Sequence, residues 1–203
     1  MYLFHYHLVV SELREVEARY LGKLGFDLIA RYGRVGDDHI AVESGVSWEQ
    51  LDRDGFKLRL SELERGSVNV VVQPGHWRVP RVDHIGVALD EEELQGVLGR
   101  AVERNLRIQE HGGRRTFVAT NAGYRLEVYP PRAWINELLE KRDELRLTEL
   151  HLRADEPLRK AGVLADLLGL ALDGSTVFVG ETAVSFLPGG PEGRPELCGE
   201  RFV

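Results

Sequence analysis

Residues 82–105 read VDHIGVALDEEELQGVLGRAVERN. The first nine, 82–90, are apolar and β-branched around one Asp-His pair, which predicts a strand. The acidic run Glu91–Glu93 then opens a helix, where carboxylates meet the positive end of the helix dipole. Three further strands follow, LRIQEH, RRTFVATN and YRLEVYP, with turns at Gly112-Gly113 and Asn121-Ala122-Gly123. Pro130-Pro131 closes the unit. One β-α-β-β-β unit therefore accounts for residues 81–131.

Working outward, the pattern repeats, and a repeat constrains the fold more than any single element does. Toward the N-terminus, YLFHYHLVV (2–10) predicts a strand. SELREVEARYLGKLGF predicts a helix, with Ser11 as a candidate cap, Leu13, Val16, Tyr20, Leu21 and Leu24 at helical spacing, and Gly25 as the stop. FDLIARYG and DHIAVESG predict a hairpin across RVGDD, and FKLRLSEL and SVNVVVQPG predict two more strands. Toward the C-terminus, RAWINELLEKRDEL reads as a connecting helix. LTELHLRAD then predicts a strand, EPLRKAGVLADLLG a helix with Pro157 at its start, and LALDG, STVFVG and TAVSFLPGG short strands. The Pro/Gly-rich tail PEGRPELCGERFV reads as loop. The expected division is module one at 1–80, module two at 81–131, a connecting helix at 132–146, and a third, degenerate βαβββ module with tail at 147–203. The expected fold class is α+β: tandem βαβββ modules forming a curved mixed sheet around a cavity.

Composition narrows the function classes. A formal charge of −7 and a pI of about 5.6 argue against nucleic acid and anionic membranes as partners. The single cysteine, Cys198, leaves no disulfide within the chain and suits a reducing cytoplasm. No stretch has the length and apolarity of a membrane span, and no basic leader precedes an apolar run. A cytoplasmic protein acting on a small molecule is expected. No P-loop, no GxGxxG after a strand and no GxSxG is present.

Candidate chemistry centres on histidines. His5 and His7 are two apart on a strand and share a face. The repeat distinguishes them. His84 is followed three residues later by Val87 and six later by Asp90, where the helix begins; His5 is followed by Leu8 and Ser11 at the same intervals. His7 falls at the place of Gly86. In the third module the same ruler puts Glu149 at the place of His84 and His151 at that of His7. Glu127 lies between Leu126 and Val128, where an unpaired carboxylate is costly to desolvate. It either pairs with Arg125 or Arg115 or binds a cation. His84 is either a half-buried histidine bonded to backbone or a metal ligand. His39 and Glu43 share a strand face and are read as solvent-facing, as is His76. Cys198 lacks a partner base. Gly112-Gly113-Arg114-Arg115 is basic and more often solvated than ligand-binding.

Three motifs, in order and at module spacing, resemble the vicinal oxygen chelate superfamily of glyoxalase I, bleomycin-resistance proteins and extradiol dioxygenases. They are His5-x-x-Leu8 with a helix ending Leu24-Gly25-Phe26, then Val82-Asp83-His84-Ile85-Gly86-Val87, then Gly123-Tyr124-Arg125-Leu126-Glu127-Val128-Tyr129. The resemblance covers residues 1–130 well and 147–188 loosely. It implies two modules whose curved sheets surround a divalent metal, with ligands on the first and last strands. Carried onto this chain, the implied ligands are His5, His84 and Glu127. The fourth position depends on which strand closes module one: Arg59 if it is GFKLRLSEL, or one of Asn69, Val70, Val71 and Val72 if it is SVNVVVQPG. None of these is acidic, and the matching residue in module three is Ser185. Two histidines and one carboxylate with open positions is the facial triad of non-haem Fe(II) chemistry. The resemblance therefore implies an extradiol dioxygenase-like enzyme using Fe(II) or Mn(II), with Zn or Ni as other options. A glyoxalase-like lyase or isomerase, or a metal-free binding protein like the bleomycin-resistance proteins, are the alternatives. His7 and His111 are the candidate catalytic acid/bases. Phe117 stands where extradiol enzymes carry tyrosine. The third module, lacking the ligand pair, is expected to complete the fold or a homodimer interface.

Overall fold

The computed structural model describes residues 1–112 and 115–203; Gly113 and Arg114, on which part of the expected Gly-Gly turn and basic run falls, lie outside the described residues. Module one comprises β1 (Tyr2–Val10), α1 (Leu13–Gly22), β2 (Asp27–Val35), β3 (Asp38–Glu43), α2 (Trp48–Arg53), β4 (Lys57–Arg65) and β5 (Val68–Pro74). Module two comprises β6 (Arg81–Ala88), α3 (Glu91–Glu103), β7 (Ile108–His111), β8 (Arg115–Ala119) and β9 (Arg125–Tyr129). After them come α4 (Ala133–Glu140), a 3-10 turn at Lys141–Asp143, β10 (Leu147–Arg153), α5 (Pro157–Leu168), β11 (Leu172–Asp173), β12 (Thr176–Val179), β13 (Thr182–Leu187) and β14 (Glu196–Phe202). The described residues thus form one mixed sheet with helices, the expected α+β class.

Local chemistry explains the elements. Asp90 and Glu93 form a reciprocal capping box at the start of α3: the Glu93 backbone N–H donates to Asp90 at 2.8 Å, and the Asp90 backbone N–H to Glu93 at 2.9 Å. Pro157 starts α5, and Gly169 at φ 70° ends it in the left-handed conformation. Ser11 does not cap α1; Glu12 holds that position and makes no side-chain cap bond. The short helix α2 falls in a stretch that reads from sequence only as a connection. Its Ser47 cap accepts from the Gln50 backbone N–H at 3.2 Å.

Pairing settles what the sequence left open. The strand that closes module one is β5, which runs parallel to β1 with His5 opposite Asn69 and His7 opposite Val71. In module two β9 runs parallel to β6 with His84 opposite Arg125 and Gly86 opposite Glu127. Position 71 is therefore the counterpart of position 127, and the residue where a fourth ligand would stand is Val71. The two modules join along β1 and β6, antiparallel, with His5 facing Gly86 and His7 facing His84. Two bulges interrupt that ladder, at Phe4 and at Asp83, and each precedes a histidine. A shift of 79 positions carries His5 onto His84 and Phe4 onto Asp83, so the joint is two-fold symmetric.

The Pro/Gly-rich tail is not all loop: Glu196–Phe202 forms β14, antiparallel to β10. Glu149 faces Arg201 and His151 faces Gly199, with bulges at Thr148 and Cys198. β14 thus stands to β10 as β6 stands to β1. One apolar core runs through all of this. It joins Leu3, Tyr6, Leu8 and Val10 of β1 to Leu13 and Tyr20 of α1, Val97 and Ala101 of α3, and Leu164 and Leu168 of α5. Helices α1, α3 and α5 pack against one face of the sheet. The opposite face of β1, β5, β6 and β9 curves around a cavity, where α4 packs Ile135 and Leu138 with Phe4 and Tyr129 and places Trp134 at the rim.

Candidate metal centre

His5, His7, His84 and Glu127 are all buried, Glu127 completely. The bulges at Phe4 and Asp83 put His5 and His84 on the cavity face although their strands are buried on both sides. His5 Nε2 lies 3.1 Å from His84 Nε2. Glu127 Oε2 lies 3.1 Å from His84 Nε2 and 3.6 Å from His5 Nε2. Two donors each about 2.1 Å from one ion, at right angles, are about 3.0 Å apart, so this spacing fits a single divalent cation.

The surrounding hydrogen bonds say which nitrogens carry protons. Asn69 Nδ2 donates to Glu62 and Glu64, each at 3.0 Å. That fixes the amide so that its Oδ1 faces His5 Nδ1, at 2.7 Å. An amide oxygen only accepts, so His5 Nδ1 holds the proton. Asp83, the bulged residue, accepts from His84 Nδ1 at 2.8 Å. Burial alone would raise the Asp83 carboxyl; the bonds to His84 and Arg125 outweigh it and hold it well below the usual range. Arg194 braces its other oxygen at 2.6 Å. Both Nε2 atoms therefore present lone pairs toward the Glu127 carboxylate. Among the described residues neither Glu127 oxygen meets a donor at hydrogen-bonding geometry; Arg115 approaches Oε1 to 3.3 Å as an ion pair, and the Tyr129 hydroxyl interacts with the carboxylate from the cavity wall. Three lone-pair donors converging with no proton between them repel one another unless a cation sits among them. The residues present fit a metal.

Electrostatics agree. Burial pushes His5 down to about 4, against the pull of Glu127. Burial, then His84 and His5, push His7 down to about 3. Glu127 would be raised by burial, but His84, His5 and Arg115 bring it to about 2. The His5 and His7 imidazoles are neutral and the Glu127 carboxylate charged at neutral pH, the states a metal requires of its ligands.

His7 lies beside the cluster, its ring centroid 4.6 Å from that of His84, with Nε2 2.9 Å from Gln73 Oε1. One donor atom from each of His5, His7 and His84 lies within 4.8 Å of the others. His111 is exposed at the cavity mouth, its ring edge-on to Phe117 with centroids 5.5 Å apart. The cavity, about 260 Å³, is bounded by both histidine strands and by Phe117, Tyr129 and Trp134. Arg59 also lines it, from the side of β4. His39, Glu43 and His76 are exposed, and the exposed Cys198 donates its Sγ–H to the His151 carbonyl. Sequence reasoning missed the orienting pair Asn69 and Asp83. Asp83-His84 was visible as a dipeptide, but only the bulge brings neighbours on a strand to one side. In the β10–β14 joint, Glu149 bonds Arg201 at 2.8 Å and His151 at 3.2 Å, and Gly199 occupies the place of His84, so no matching triad forms there.

No family model and no curated protein matches the sequence. Solved structures do match. The Mn(II)-bound glyoxalase from Novosphingobium aromaticivorans aligns at TM-score 0.55 and 13% identity over 97% of this chain and 63% of its own. The 2,3-dioxygenase from Pseudomonas sp. KL28 aligns at 0.57 and 14% over 96% of this chain and 72% of its own. Homoprotocatechuate 2,3-dioxygenase from Arthrobacter globiformis aligns at 0.58 and 15% over 96% of this chain and 61% of its own. This chain is shorter than these proteins and spans less than two thirds of the glyoxalase and of the Arthrobacter dioxygenase. The fold is that of glyoxalase and extradiol dioxygenase-type proteins, as the sequence resemblance implied.

Proposed function

We propose that this chain is a metal-dependent enzyme of the vicinal oxygen chelate type, closest in chemistry to the extradiol dioxygenases. The observation that carries this reading is the convergence of His5 Nε2, His84 Nε2 and Glu127 Oε2 within 3.6 Å of one another, with both protons held on the far nitrogens. These three residues would hold one divalent ion, Fe(II) or Mn(II) by ligand type, with Zn or Ni also accommodated. The ion supplies Lewis acidity and a template for two vicinal oxygens of a small substrate.

The chain's own residues do the rest. Asn69 and Asp83 lock the two ligand rings and their tautomers. Phe117, Tyr129 and Trp134 wall the cavity against water. Gln73 fixes the His7 ring, leaving Nδ1 free to exchange a proton with bound substrate, and His111 stands at the entrance as the second acid/base candidate. Val71 at the fourth position favours an open triad over the four-ligand set of glyoxalase I.

Fe(II)-loaded protein given a panel of catechols under air tests this reading. Oxygen uptake matched to substrate loss, with appearance of a ring-opened product, is expected. Isomerisation of a hemithioacetal without oxygen uptake would replace it with the glyoxalase reading. Tight catechol binding by metal-free protein, with no turnover after metal loading, would replace it with a binding protein.

A further inference from the structure

The concave face carries a second charged feature beyond the donor cluster. Arg34 on β2 lies directly opposite Lys57 on β4, and Arg59 follows two residues along. None of the three has an ion-pair or side-chain hydrogen-bond partner among the described residues. Like charges facing each other across antiparallel strands are destabilising, so this row contributes nothing to the fold. Arg14–Asp52, Arg19–Glu200 and Arg159–Glu156 are matched elsewhere on the surface, whereas Arg78 and Arg107 are exposed without a side-chain partner among the described residues, so what sets this row apart is that its cations face one another across two strands at a cavity. Three unmatched cations in a row are also against the trend of a chain with net charge −7.

A second observation points the row at the site. Tyr32 pairs with Leu60 and Gly33 with Leu58, so Arg59 is the extra residue of a bulge. Bulges re-aim side chains, and Arg59 lines the same cavity as His5 and His84. Arg34, Lys57 and Arg59 together line an adjoining hollow of about 330 Å³. The acidic neighbour Glu62 lines the metal cavity too, but its Oε1 already accepts from Asn69 at 3.0 Å.

We propose that this row is an anion subsite, and that the substrate carries a carboxylate which Arg59 binds while its vicinal oxygens lie over the donor cluster. The planar guanidinium matches a carboxylate fork to fork, and Lys57 and Arg34 add to the positive field at the entrance. The oxygen end of this picture rests on the function proposed above; the carboxylate end rests on the arginine row alone.

Calorimetric titration of Mn(II)-loaded protein tests it, with catechol, 3,4-dihydroxybenzoate and 3-(3,4-dihydroxyphenyl)propionate as probes of different reach. Metal-free protein is titrated with benzoate in parallel. At least one carboxylated catechol is expected to bind wild type about tenfold more tightly than catechol, as one charge-assisted pair allows. In Arg59→Met the preference should fall below about twofold, with catechol affinity and Mn(II) content unchanged, while Arg59→Lys keeps part of it; high salt should weaken it. Equal binding of all three catechols by wild type, or a preference that survives Arg59→Met, overturns the subsite. The two readings fail separately. Benzoate binding that depends on Arg59 in a chain that takes up no Mn(II) upholds the subsite and removes the metal reading. One bound Mn(II) with no probe sensitive to Arg59 does the reverse.

Discussion

Replacing Gly86 with alanine is the sharpest probe of how the site is built. Gly86 faces His5 across the joint between the two modules. A Cβ there would lie 2.8 Å from His5 Cβ and 2.9 Å from its Cδ2, where ordinary contacts begin at 3.4 Å. His5 must retreat by roughly 0.6 Å or more, and because the clash is at its own Cβ, no side-chain rotation relieves it. Overpacking of this kind costs about 1–3 kcal/mol in the metal-free protein. A ligand nitrogen displaced on this scale should weaken metal binding roughly 100-fold, the upper end of what misplaced ligand support does. With free metal at about 100 times the wild-type Kd, binding stabilises by about 2.7 kcal/mol; after a 100-fold loss it stabilises by about 0.4 kcal/mol. For a chain of this size the metal-induced rise in Tm should shrink from roughly 5–11 °C to about 1–2 °C. Differential scanning calorimetry of wild type and Gly86→Ala, with and without Mn(II), reads this directly. An undiminished metal-induced rise in Gly86→Ala would refute the claim that His5 is a ligand held in place by the bare backbone of Gly86.

Two other substitutions test neighbouring parts of the structure. Val71→Glu places a carboxylate at the symmetry counterpart of Glu127; it should raise Zn(II) affinity roughly tenfold or more and reduce catechol binding by filling an open position, both read by titration. Arg31→Met breaks a buried bidentate pair with Glu17, whose carboxylate also accepts from Ser61 and Trp48. Leaving that charge unpaired should cost about 3–5 kcal/mol and lower Tm by roughly 6–20 °C, with metal stoichiometry unchanged.

Much of this was legible in the sequence because the modules repeat. The interval from histidine to helix start singles out His5 over His7 in the sequence, but the structure does not keep that interval equal: Asp90 caps α3 six residues after His84, while Glu12, seven after His5, holds the cap position of α1. The equivalence of His5 and His84 lies in the joint itself, where one shift carries histidine onto histidine and bulge onto bulge. What the ruler cannot see is hydrogen bonding between strands. Asn69 sits in an apolar run, SVNVVV, and its amide is fixed by Glu62 and Glu64 on the neighbouring strand, 7 and 5 residues earlier. Asp83 looks like an outward-facing partner of His84 until the bulge turns both to one side. The strand Glu196–Phe202 reads as tail because Cys198, Gly199 and two glutamates carry no alternation; its pairing with β10, not its own propensity, makes it a strand. The unpaired row of Arg34, Lys57 and Arg59 is likewise invisible before β2 and β4 are laid side by side.

The central claim is that three lone-pair donors converge on one cation. Titration of chelator-treated protein with Mn(II), followed by calorimetry and by the paramagnetic resonance signal of free Mn(II), tests it most directly. Wild type should bind one equivalent, with the free-ion signal suppressed until that point, and Glu127→Gln should lose this site while keeping its far-ultraviolet circular dichroism. A wild-type chain that leaves the free-ion signal untouched, or binds Mn(II) equally well without the Glu127 carboxylate, would contradict it.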